Sequence, residues 1–270
     1  MYVSDVLGWG GLLPAILAAA LFLARGGTAP GVAVAIAFLL TRAWTLGSPR
    51  LVPVEAVDYV APLVLVGAVL GVLAPRRRWV DVLGGLLVVV CAVQVLWPRV
   101  QFGWAGAEAV WRPVLAVSFA LTAWLWTRRL VAPVRGVAPG LAILVALLAV
   151  ALAATGSIVL AQHAGLLAAA TGGVALAALV RGGELPAELL LPSVVLPMLA
   201  LIGAGVFYSE LPVWAGATFL ACLGGLVAAD GDRSGFPWRG LIAVAFPAAA
   251  LTGTLLWVAW SETAGAGQPY

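Results

Sequence analysis

Residues 137–161 read VAPGLAILVALLAVALAATGSIVLA, a run without one charged side chain. A helix needs about 20 mostly apolar residues to cross a hydrocarbon core of about 30 Å, and about 17 to 25 are tolerated. The run is apolar on every helical face, whereas a strand of a membrane barrel would alternate apolar and polar over about ten residues. Working outward, similar runs cover Val6–Ala24, Gly31–Leu46, Val57–Ala74, Val80–Trp97 and Pro113–Thr127 on one side. Beyond the central Val137–Ala161, further runs cover Gly165–Val180, Leu185–Phe207, Pro212–Ala229 and Leu241–Trp260. The expectation is an all-α integral membrane protein, a polytopic bundle of about ten transmembrane helices forming a single domain over residues 1–270. Only Gln162-His163-Ala164 separates the sixth run from the seventh. Fusing those two into one tilted helix plus a re-entrant piece would give nine spans and move the C-terminus to the other side.

Composition supports the class and removes several chemistries. Of the 270 residues 64% are hydrophobic and 9% charged, against about 25% charged in a soluble domain. A mean hydropathy of +1.12 leaves no stretch polar enough for a separate soluble domain. All 14 basic residues are arginine, so no lysine exists for a Schiff base, a phosphate loop or a lysine proton relay. The single histidine, His163, cannot supply two axial haem ligands or a two-histidine zinc site. Cys91 and Cys222 lie in apolar runs, where a thiol behaves as a small hydrophobe. No cofactor and no metal are expected. The loops are too small for nucleic-acid binding, which leaves membrane lipids and other membrane subunits as partners. Residues Met1–Val6 lack the positive start of a cleaved signal, so the first span is expected to be retained.

Arginine placement gives an orientation, because short basic loops stay cytoplasmic. With ten spans and both termini outside, Arg25, Arg76, Arg77, Arg78, Arg128, Arg129, Arg135, Arg181, Arg233 and Arg239 share one face. Arg42, Arg50, Arg99 and Arg112 share the other. The expected location is a bacterial-type inner membrane. Tryptophans such as Trp44, Trp97, Trp111, Trp214 and Trp257 fall near run ends, as interfacial indoles do. The arginines Arg76, Arg77, Arg78, Arg128 and Arg129 are candidate contacts for anionic lipid headgroups.

An ionisable group deep in the bilayer is a functional hypothesis by default, and none sits securely at mid-depth here. The polar residues there, among them Gln94, Thr171 and Ser193, can bond carbonyls of their own helix and serve as glue between helices. Gly67 and Gly71, four apart, allow a close helix approach. Arg42 is the charge most nearly inside a run. It either pairs with Glu55 or Asp58 in an anion or proton site, or snorkels to the headgroups. Glu55, Asp58, Glu108, Arg112, His163 and Glu210, with Tyr208 beside the last, collect on the outer face as pathway candidates. His163 reads as an interfacial histidine in a tight turn. Gly156-Ser157 with His163 is too close in sequence for a serine–histidine pair from separate helices. Asp230 and Asp232 are explained by a solvated loop. Pro186, Pro192 and Pro197 fall in the eighth run, where each proline removes a helix hydrogen bond, making Pro192 and Pro197 candidate kinks.

Function is not legible at this level beyond a ranking. Lack of charge at mid-depth favours a protein without catalysis of its own, an embedded subunit or scaffold of a membrane complex. A permease for a lipid or weakly polar solute, using the kinked eighth span and the Arg42 region, is the alternative. An enzyme acting on a lipid-linked substrate at the outer face ranks last.

Overall fold

The computed structural model describes residues 11–25, 29–47, 55–73, 78–127, 137–181, 185, 187–228, 253, 254 and 257. Every long element among them is helical: α1 (Leu13–Ala24), α2 (Pro30–Thr45), α3 (Val60–Leu73), α4 (Arg78–Phe102), α5 (Glu108–Thr127), α6 (Val137–Ala154), α7 (Ile158–Val180), α8 (Ala187–Tyr208) and α9 (Val213–Ala228). A 3-10 turn, Ala56–Tyr59, leads into α3.

The expectation of about ten spans is corrected. Among the described residues five helical segments are long and apolar enough to cross a membrane: Ala56–Leu73, Asp81–Phe102, Val137–Ala154, Ile158–Val180 and Glu188–Tyr208. The physical reason is length, since several of the described helices are too short for a hydrocarbon core of about 30 Å. Within the described part of the first run, α1 holds 12 residues, about 18 Å at about 1.5 Å per residue. The second yields the 16 of α2, about 24 Å. The described part of the ninth run is likewise short at Val213–Leu226. α5 has 20 residues but carries Glu108, Arg112 and Pro113 at its start, and it is not one of the five. Of the tenth run only Gly253, Thr254 and Trp257 are described, and the sidedness of the termini lies outside the described residues.

The break between α6 and α7 also differs from the expected one. α6 stops at Ala154 because Gly156 adopts φ +83°, a left-handed conformation that glycine enters without steric cost. The N–H of Ser157 then donates to the Leu152 carbonyl at 3.0 Å and that of Gly156 to Ala153 at 3.1 Å, the paired closure that satisfies the last carbonyls of a helix. α7 starts at once, so Gln162, His163 and Ala164 lie inside it and His163 is not in a turn.

α7 and α8 form the centre, with 67% and 72% of their span windows buried. α7 packs against α1, α2 and α6, and α8 against α3, while α4 and α5 pair at the periphery. Lipid tails are as apolar as leucine, so packing rather than water exclusion must select these contacts. The α3–α8 contact shows how. A Cβ at Gly67 would collide with the Pro192 carbonyl, and one at Gly71 would lie 2.5 Å from the Leu189 carbonyl. The two backbones therefore touch directly, as the spacing of these glycines implies. α8 stays helical through Pro192 and Pro197. A smaller core of Leu63, Leu70, Val88, Trp124 and Leu196 joins α4 and α5 to the bundle, where the Trp124 indole donates to the Asp81 carbonyl at 3.3 Å.

Candidate functional site

Most candidates from the sequence sit at one end of the bundle, where α2, α4 and α8 finish and α3, α5, α7 and α9 begin. Arg42 lies in the last turn of α2, a position favoured for a cation by the helix dipole. It does not snorkel, since only 5% of it is exposed. Its Nε donates to Nε2 of His163 at 3.1 Å, and its Nη1 donates to the Gly47 carbonyl at 3.0 Å.

His163 is 2% exposed. Its Nδ1 lies 2.8 Å from the carbonyl of Val159. Because Nε2 accepts from Arg42, the ring proton belongs on Nδ1, which donates to Val159, and the imidazole is neutral. Phe38, one turn before Arg42, places its ring 6.3 Å from the imidazole. The result is a relay of three groups, guanidinium to imidazole to backbone carbonyl, tying the end of α2 to the start of α7.

Asp58 stands beside this relay, 7% exposed. It accepts from the Glu55 N–H at 3.1 Å while the Glu55 side chain accepts from the Asp58 N–H, a reciprocal cap at the start of the α3 segment. Asp58 and Arg42 both act electrostatically on His163. The described hydrogen-bond partners of Arg42 are His163 and Gly47.

Next to the relay opens a cleft of about 840 Å³. Its polar lining comes from Glu55, Tyr59, Gln94, Ser157, Tyr208 and Ser209, and Trp97 adds an indole. Val159, whose carbonyl accepts from His163 Nδ1–H, is also on its wall. Local chemistry explains why the α4 side is polar. Pro98 lies inside α4 and has no N–H, so the Gln94 carbonyl loses its helical donor. One residue on, the Val95 carbonyl accepts from the Tyr208 hydroxyl, and the Arg99 guanidinium sits 5.1 Å over the Tyr208 ring. The cleft descends from Glu55 at its rim to Gln94, which is eight residues, about 12 Å, below the end of α4.

The other candidates are not brought here. Glu108 pairs with Arg112 at 3.2 Å on the first turns of α5. Glu210 is exposed in the α8–α9 connection with φ +56°. Pro192 and Pro197 lie deeper in α8 and line no part of the cleft. Arg76, Arg77, Arg128 and Arg129 lie outside the described residues, as does the side chain of Arg78, whose backbone opens α4. Among the described residues no three His, Cys, Asp or Glu side chains are grouped to hold a metal ion.

Sequence reasoning treated Gln94 as helix glue and passed over Tyr59 and Trp97 as site residues. The available signal was Pro98 one residue past Trp97, read as the end of a span when α4 continues to Phe102. Comparison with known proteins adds no family: no family model, no curated protein and no solved structure matches this chain.

Proposed function

We propose that this multi-pass membrane protein binds a weakly polar or amphipathic solute in the cleft between the 3-10 turn before α3 and helices α4, α7 and α8, as a permease does. The cleft carries the reading. Its volume of about 840 Å³ lies in the range of about 300–1,000 Å³ typical of small-molecule sites. Its lining combines aromatic rings with a few hydroxyl and amide groups, which suits a ligand with one polar end. The buried relay beside it supports the same reading, because a desolvated arginine is costly and is retained where it organises a site.

Catalysis at this end is less well supported. Glu55 is the one carboxylate on the cleft wall among the described residues, and Glu108 and Glu210 lie elsewhere. A scaffold role would rest on the apolar lateral surface, for which lipid contact is a sufficient cause.

The test is thermal unfolding of the purified protein with a panel of medium-chain alcohols and monoacylglycerols. A ligand at 100 times its Kd stabilises the folded state by about 2.7 kcal/mol. At least one compound raises the Tm of the wild type, and none does so for Val93→Trp, which fills the cleft from the α4 wall, where Val93 is 43% exposed. Equal shifts in both proteins, or no shift in either, refute the reading. A second chain purifying in fixed proportion with the cleft covered would establish the embedded-subunit reading in its place.

A further inference from the structure

A second concavity opens on the opposite side of α8 from the cleft, between α5, α8 and α9, with a volume of about 340 Å³. It is a groove lined by Leu115, Phe119, Leu199, Val206 and Leu220, and its walls are apolar except at the Arg112 end. Leu115 and Phe119 are 47% and 51% exposed, so the groove faces outward toward the surrounding membrane. Its length is set by the helices. Arg112 to Ala120 on α5 and Leu199 to Phe207 on α8 are each eight helical steps apart, about 12 Å. One leaflet of the hydrocarbon core is about 15 Å deep, half of about 30 Å.

The head of the groove is built as well. The Arg112 guanidinium lies 5.5 Å from the ring centres of both Trp104 and Trp111. Glu108 engages its Nη2 at 3.2 Å, which leaves most of its five N–H donors for another acceptor. Trp104 is itself held edge-on to Phe207, 5.3 Å away, at the end of α8. A cation framed by two indoles at the end of an apolar slot one leaflet deep matches one molecule, a phospholipid with an anionic headgroup.

We propose that this groove is a binding site for an anionic glycerophospholipid, one acyl chain lying between α5, α8 and α9 and the phosphate meeting Arg112. The chain supplies apolar contact along the groove. Arg112 supplies the preference for negative charge, since a guanidinium offers parallel N–H donors to phosphate oxygens. Gly203 lies on the groove floor, and a Cβ there meets nothing within 4 Å. That open volume is what an acyl chain would fill.

The experiment is native mass spectrometry of the protein released from nanodiscs of phosphatidylglycerol and phosphatidylcholine in equal parts. The wild type retains one phosphatidylglycerol in preference to phosphatidylcholine. Arg112→Gln lowers that preference about fivefold, the factor given by about 1 kcal/mol per basic residue at a membrane surface. Gly203→Leu reduces retention of both lipids. If Gly203→Leu fails to fold, Ala217→Phe narrows the groove from α9 and is read the same way. Equal retention of the two lipids by the wild type overturns the proposal. An unchanged preference in Arg112→Gln, or full retention in the filled-groove variants, does so too.

Discussion

Replacing His163 with leucine should destabilise the protein through Arg42, and the size of the effect follows from the local geometry. The wild-type Nε–H of Arg42 ends on His163 at 3.1 Å inside a site where the arginine is 5% exposed. A hydrogen bond to a charged group contributes about 1.5–3 kcal/mol, and stranding a buried charged donor costs more than a neutral one. Breaking a buried ionic contact from one side typically costs about 3–5 kcal/mol, and the neutral imidazole puts the expected loss at about 3 kcal/mol. Arg42→Met removes the charge and leaves His163 with its Val159 bond, so its loss is smaller, about 1–2 kcal/mol. The double variant Arg42→Met/His163→Leu replaces both partners with apolar groups and should lie close to Arg42→Met alone, because no buried charge remains to be satisfied. The assay is reversible unfolding in mixed micelles for the four proteins of the cycle. A coupling energy of about 2 kcal/mol or more is expected. Additive losses with coupling below about 0.5 kcal/mol would show that Arg42 finds water or headgroups as easily as it finds His163, and the relay would carry no weight.

Four substitutions at or to glycine test the backbone that frames the relay. Gly67→Ala should destabilise by about 1–3 kcal/mol because the new methyl meets the Pro192 backbone. Gly165→Ala, with nothing within 4 Å of its Cβ, should instead stabilise by about 0.5–1 kcal/mol; the pair is checked by the same unfolding assay. Gly156→Ala should cost about 1–2 kcal/mol, since its φ of +83° is unfavourable for any residue with a Cβ. Glu210→Gly, at φ +56° in an exposed turn, should raise the Tm for the same reason in reverse.

How much of this was legible in sequence depends on the kind of signal. Hydrophobicity alone identifies a helical membrane chain, and Gly67 and Gly71 mark the helix contact they make with α8. Span number was misjudged because hydropathy does not measure helix length. Thr155-Gly156-Ser157 carries no charge and falls inside one uncharged run, yet its left-handed glycine ends α6 there. His163 then moved from an expected turn to the interior of α7, because the break falls six residues earlier than Gln162-His163-Ala164 suggested. The partnership of Arg42 with His163 spans 121 positions of sequence. No local pattern reports a contact between the end of one helix and the start of another so distant. The cleft was hidden for a related reason, as its walls come from four segments that lie far apart in the chain.

Solvent access to the cleft tests the central claim most directly. In a Cys91→Ala/Cys222→Ala background, cysteine is placed by Gln94→Cys on the cleft wall. Leu86→Cys, on α4 and 60% exposed among apolar neighbours, is the lipid-facing reference, and Ala105→Cys in the α4–α5 connection is the water-facing one. Maleimides react with the thiolate, which forms in water and not in hydrocarbon. With a membrane-impermeant maleimide, Gln94→Cys should be labelled at a rate close to that of Ala105→Cys. Labelling as slow as that of Leu86→Cys would mean that no aqueous cleft exists at this end of the bundle.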